Sequence, residues 1–162
     1  MRIAGEPIQD SIVDGPGLRF TVFTQGCNHH CIGCHNPETH DFNGGREVCV
    51  HELIELMLEN SLTSGLTLSG GDPMEQPEDC CLLAQAAHRA GLNVWTYTGY
   101  TWEEIMNGES IARQLLLRNS DVLVDGKFVL SMRSLDLDFR GSKNQRLINV
   151  KASLDTNKVI TL

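Results

Sequence analysis

Strand-like and helix-like segments alternate along most of this chain, and no other feature limits its fold so tightly. Leu18 to Gln25 alternates, is rich in Phe, Val and Thr, and reads as a strand entered from a Gly15-Pro16-Gly17 turn. Val50 to Asn60 sets Leu53, Ile54, Leu56, Met57 and Leu58 on one broad helical face. Leu66 to Leu68 is a short strand. Pro77 opens a helix that runs to about Ala90 and stops at Gly91. Asn93 to Thr98 is the next strand, and Thr101 with Glu104 forms a capping box for a short helix ending near Asn107-Gly108. Ile111 to Arg118 is helical and Val122 to Val124 is a compact buried strand. Arg146 to Val150 and Lys158 to Leu162 are predicted as terminal strands. This alternation implies parallel βαβ units. A closed eightfold barrel takes about 250 residues, and 162 are present. The expected fold is therefore α/β: one domain, residues 1–162, built as an incomplete parallel β/α barrel with an open side. Its chemistry should gather at the C-terminal ends of the strands.

The predicted strand at Leu18–Gln25 runs straight into Cys27-x3-Cys31-x2-Cys34. A 4Fe–4S cluster normally takes four thiolates, one per iron, so three would leave one iron able to bind a small molecule. Zinc is the competing reading, because it closes at four ligands drawn from Cys and His, and His29, His30 and His35 are near in sequence. An electron carrier in which Cys49 supplies a fourth thiolate is another. Cys80 and Cys81 read as small buried hydrophobes in a helix. A net charge of −8 argues against a nucleic-acid footprint, although Arg133, Arg140, Lys143 and Arg146 form a loose basic group. No apolar run approaches membrane length. Met1 to Gly5 lacks the apolar core of a signal peptide, which points to the cytoplasm and away from a disulfide framework.

Ser69-Gly70-Gly71-Asp72-Pro73 follows a predicted strand. Glycines there allow close approach of backbone to a ligand, and a carboxylate suits a cationic amine; alone, such a segment more often just changes chain direction. Asp125-Gly126-Lys127 ends another strand. His51-Glu52 opens a helix without a second His four residues on, so a metalloprotease is excluded. His40 and His88 read as surface residues, and Trp95 and Trp102 as packing.

The stretch Phe23-Thr24-Gln25-Gly26-Cys27-Asn28-His29-His30-Cys31-Ile32-Gly33-Cys34-His35-Asn36-Pro37 resembles the radical S-adenosylmethionine (radical SAM) superfamily. Asp14-Gly15-Pro16-Gly17-Leu18-Arg19, the Gln-Gly before Cys27 and His35-Asn36-Pro37 are similar to the activating enzymes of glycyl-radical proteins. Tyr97-Thr98-Gly99-Tyr100, Val124-Asp125-Gly126-Lys127-Phe128 and Arg140-Gly141-Ser142-Lys143-Asn144-Gln145 narrow the resemblance to the family that activates anaerobic ribonucleoside-triphosphate reductase. Together these segments run from about Asp10 to Arg146. The resemblance implies a partial barrel of the radical SAM type and one 4Fe–4S cluster on Cys27, Cys31 and Cys34, with SAM bound at the fourth iron. Reductive cleavage of SAM would yield methionine and a 5′-deoxyadenosyl radical, which removes hydrogen from a glycine of the large reductase subunit. The implied partners are that subunit and a flavodoxin- or ferredoxin-type electron donor, with no nucleic acid or membrane. It further implies SAM contacts from Gly33, Cys34 and His35 near the adenine and from Gly70, Gly71 and Asp72 near the methionine amine, where backbone carbonyls carry much of the contact and Asp72 can serve by orienting the loop. Asp125 and Lys127 would meet the ribose or carboxylate, with a salt-bridged strand end as the other reading of this segment. No side chain need act as acid or base. Gly33 stands where many relatives carry an aromatic residue, and Tyr97 where pyruvate formate-lyase activating enzymes carry Asp.

Overall fold

The computed structural model describes residues 1–162. Eight strands form one open sheet: β1 (Arg2–Ile3), β2 (Ile8–Ser11), β3 (Arg19–Thr24), β4 (Arg46–Glu47), β5 (Gly65–Gly70), β6 (Asn93–Tyr97), β7 (Val122–Asp125) and β8 (Arg146–Asn149). Their spatial order is β4-β1-β3-β5-β6-β7-β8, and β2 also pairs with β3. The helices are α1 (Val50–Glu59), α2 (Pro77–Arg89), α3 (Trp102–Asn107), α4 (Ile111–Arg118) and α5 (Val150–Thr156). No helix is long and apolar enough to cross a membrane.

The four central strands β3, β5, β6 and β7 are mutually parallel and consecutive. Their C-terminal ends therefore share one rim, and the segments that follow them leave the sheet side by side. Phe20, Val22, Leu66, Leu68 and Val94 pack with Leu53, Met57, Leu83, Leu116 and Leu117 in the main core. The intervening residues face the other way. There Trp95, Val122 and Val124 meet Phe139 and Leu147, and Trp95 and Phe139 rings pack edge to face at 5.3 Å. Arg19 is fully buried. Its guanidinium donates to Thr67 Oγ1 at 3.0 Å, to Asn93 Oδ1 and to the Leu66 carbonyl, and lies 5.9 Å from the Trp95 ring centroid. Burial lowers the Arg19 pKa to about 10, since a cation removed from water favours its neutral form.

The structure departs from expectation at both flanks of the sheet. β8 is antiparallel to β7, and β1 and β2 are antiparallel to β3, so the sheet is mixed and does not close. Lys158–Leu162 is not a strand: it makes a single bridge, Thr161 to Ile148. Val150–Thr156 is instead a helix, because the Asn149 side chain accepts from Ala152 N at its start and Asn157 ends it in the left-handed conformation.

Candidate functional site

β3 delivers the chain directly into the cysteine loop. Gly26 N donates to Thr39 O at 2.8 Å and Cys27 N to His40 O at 3.2 Å. The Gln25 side chain ties down the returning segment through the Glu38 and Asp41 carbonyls. Cys34 N donates to Cys31 O at 3.1 Å, and Cys34 Sγ accepts from Asn36 N at 3.4 Å. Cys27, Cys31 and Cys34 all line a cleft of about 770 Å³ at the shared rim. All six cysteines are free. Burial pushes the Cys27 thiol up to about 11, so it holds its proton until a metal displaces it. The three thiols face a common space but are not drawn into a closed metal cage.

Gly70 and Gly71 line the same cleft, and both are also required for closure against β3. A Cβ at Gly70, whose φ is +101°, would lie 2.4 Å from Thr24 N; one at Gly71 would lie 2.4 Å from Gly26 O. The backbone is stitched there by Gly71 N to Thr24 O at 2.7 Å and Asp72 N to Gly26 O at 2.9 Å. The glycine segment is thereby fastened to the base of the cysteine loop.

Asp72 is fully buried and has four donors. Oδ1 accepts from Met74 N at 2.9 Å, which caps the one-turn 3-10 helix at Pro73–Glu75. Oδ2 accepts from His29 Nε2 at 2.8 Å, Thr98 Oγ1 at 3.0 Å and Gly99 N at 2.9 Å. One carboxylate thus clamps the cysteine loop, the β5 exit and the β6 exit together. A Cβ at Gly99 would strike the His29 ring at 2.2 Å, so that glycine admits the clamp. Behind it the His29 and Tyr100 rings meet edge to face at 4.5 Å. Arg113 lies 4.3 Å from the Tyr100 centroid, and Glu75 bonds both Tyr100 Oη and Arg113. Burial, reinforced by the Glu75 carboxylate, pushes the Tyr100 phenol up to about 12. With these bonds made inside the protein, Asp72 supports the cleft wall.

Asp125 stands in the same relation to the β7 exit. It is 1% exposed and accepts from Trp102 N at 2.8 Å and from Arg146 through Nε at 3.0 Å and a second guanidinium nitrogen. Arg146 also bridges to Glu103, and this bond holds the Glu103 carboxyl below the usual range. Lys127 is exposed and does not line the cleft, whereas its neighbours Gly126 and Phe128 do. Asp72 and Asp125 are thus buried and bonded to protein donors, Asp125 as a salt-bridged strand end, while Lys127 lies outside the cleft lining. His35 lines the cleft with its ring 5.0 Å from that of Phe128. Gly33 has φ +74°, and a Cβ there would lie 3.0 Å from the Leu130 side chain. His40 is half-buried in the cleft wall rather than on the surface. Tyr97, Thr98, Gly99, Arg140, Gly141 and Gln145 complete much of the lining.

Comparison with known proteins places this chain in a family. Residues 13–148 match the family described as a 4Fe-4S single cluster domain. The anaerobic ribonucleoside-triphosphate reductase-activating protein of Vibrio cholerae is 37% identical over 143 residues, covering 83% of this chain and 89% of its own length. Its namesake in Escherichia coli K12 is 37% identical over 144 residues, covering 83% and 90%. That of enterobacteria phage T4 is 36% identical over 141 residues, covering 83% and 86%. The chain belongs to the anaerobic ribonucleoside-triphosphate reductase-activating protein family. The residues present fit the family's cluster. Three free thiols share one cleft, while Cys49 lines a separate cleft beside Met1 and Asp79, and Cys80 and Cys81 are buried in α2. A four-ligand zinc site would need one more donor from the loop. The His29 ring is bonded to Asp72 through Nε2, and the His30 and His35 rings pack on His40 and Phe128; it is the match to a 4Fe-4S single cluster domain that favours the cluster over zinc.

Proposed function

We propose that this protein is a radical SAM activase for anaerobic ribonucleotide reductase, with its open sheet serving as a partial β/α barrel. One observation carries the reading: three cysteine thiols, and no fourth, line a cleft that also exposes the Gly70-Gly71 backbone. Cys27, Cys31 and Cys34 would hold a 4Fe–4S cluster, which when bound would supply the electron for reductive cleavage of SAM to methionine, the hydrogen atom removed coming from a glycine of the large reductase subunit. The chain's own residues bind, orient and shield. Gly70 and Gly71 offer backbone groups to the methionine amine, and Gly33, Cys34 and His35 flank the adenine. The Asp72 and Asp125 networks hold these loops in register, which is the proximity a short-lived radical requires.

The rim of the cleft supports a protein substrate. Val13, Ile32 and Leu135 are 73%, 81% and 87% exposed, and Val13 and Leu135 line the opening. Apolar side chains exposed at the mouth of a reactive cleft suit a partner that covers it during turnover. A flavodoxin- or ferredoxin-type protein would supply the electron. Cysteine substitution tests the reading: Cys27→Ala, Cys31→Ala and Cys34→Ala each abolish reductive SAM cleavage in anaerobically reconstituted protein, and Cys49→Ser retains it. Loss on Cys49→Ser with retention in Cys31→Ala would overturn it.

A further inference from the structure

Arg140 is the single Lys or Arg side chain that lines the cleft. Its Nε is buried with no hydrogen-bond partner, while one terminal nitrogen donates to the Gln145 carbonyl at 3.0 Å. A buried, unpaired N–H on a guanidinium is costly unless a ligand completes it. The surrounding loop is rigidly built for the position. Gln145 Oε1 accepts from Gly141 N at 2.9 Å and Ser142 N at 3.1 Å, and Gln145 Nε2 donates to Gly126 O at 3.0 Å. Ser142 is fully buried and its Oγ accepts from Val129 N. A Cβ at Gly141 would sit 3.0 Å from the Phe128 ring and 3.4 Å from the His35 ring, so the absence of a side chain there lets the loop close on the cleft wall. Arg140-Gly141-Ser142-Lys143-Asn144-Gln145 therefore acts as a frame that fixes one guanidinium at the cleft.

We infer that Arg140 is the carboxylate-binding residue of this cleft. A planar guanidinium with an unpaired Nε matches a carboxylate side-on, a geometry lysine cannot reproduce. The identity of the ligand rests on the function proposed above, which offers two carboxylates: that of SAM, and an acidic side chain on the reductase segment that enters the cleft.

Equilibrium binding to the reconstituted holoprotein separates these sources. SAM, decarboxylated SAM and the large reductase subunit are titrated in turn against wild type, Arg140→Met and Arg140→Lys. If the carboxylate is that of SAM, Arg140→Met weakens SAM about tenfold or more and leaves decarboxylated SAM unchanged, with Arg140→Lys between. If it belongs to the reductase, the SAM titrations coincide and reductase affinity falls about tenfold in Arg140→Met. Wild-type affinities for all three probes in both variants overturn the inference while the proposed function stands. Failure of the wild-type protein to bind SAM or reductase overturns both together. Should Arg140→Met melt far below wild type, Arg140→Lys carries the comparison, because it keeps a donor for the Gln145 carbonyl.

Discussion

At Gly71 the space a methyl group would need is already held by the Gly26 carbonyl. Backbone cannot retreat as the end of a flexible side chain can, so Gly71→Ala should cost more than about 2 kcal/mol, read as a fall in Tm of the metal-free protein. Gly91→Ala meets open space but has φ +77°, so it should cost only about 1 kcal/mol. Equal losses at the two sites would show that the Gly70-Gly71 seam is not fixed by backbone packing. Asp72 teaches a related lesson. The sequence offered two roles, a carboxylate suited to an amine and a residue that orients its loop; an Asp followed by Pro is also an N-cap signature, and Asp72 Oδ1 caps Met74 N in that way. Arg19 was legible only as part of a motif. Its burial depends on Thr67 and Asn93, which arrive from strands roughly fifty to seventy residues away, and no local pattern announces such partners.

At the scale of elements, the clamp from His29 to Asp72 joins three strand exits. His29→Leu removes a donor to a buried carboxylate, and a hydrogen bond to a charged group contributes about 1.5–3 kcal/mol. Backbone amide exchange in residues 27–34, 70–72 and 97–100 should rise together in that variant. His29→Gln, which can still donate, should restore most of the protection. Exchange rising in the cysteine loop alone would show that the three exits are not coupled. The capping box of α3 makes a pH prediction. Hydrogen bonding from Thr101 N to Glu104 holds that carboxyl below the usual range. The stabilisation is thus present above the ordinary carboxylate pKa and is lost as pH falls through the lowered one. Glu104→Gln should flatten part of the acid limb of a Tm-versus-pH curve; an unchanged acid limb would remove Glu104 from the explanation. This box was legible from Thr101 and Glu104 three apart. α1 to α4 and the four central strands were legible for the same local reason, their periodicity being carried by their own residues, whereas the seven-residue α5 was not. β1, β2 and β4 are two to four residues long, too short to show a period, and their pairing is a tertiary matter. His29, Thr98 and Gly99 escaped notice as one unit because only the parallel stacking of β5 and β6 beside the cysteine loop brings them to Asp72.

For the whole molecule, four parallel strands bring the cysteine loop, the glycine segment, the β6 exit and the β7 exit to one rim, and an incomplete sheet leaves that rim reachable by another protein. Chain length and strand–helix alternation foretold this arrangement, whereas the covering loop with Phe139 on Trp95 and the Arg140 frame required the folded chain. The decisive measurement is electron paramagnetic resonance on the anaerobically reconstituted protein mixed with reductant, SAM and the large subunit of anaerobic ribonucleotide reductase, with methionine assayed in parallel. A glycine-centred radical on the reductase, accompanied by methionine and absent in Cys31→Ala, is the predicted result. A fully loaded, reduced cluster that forms no methionine and no radical would contradict it.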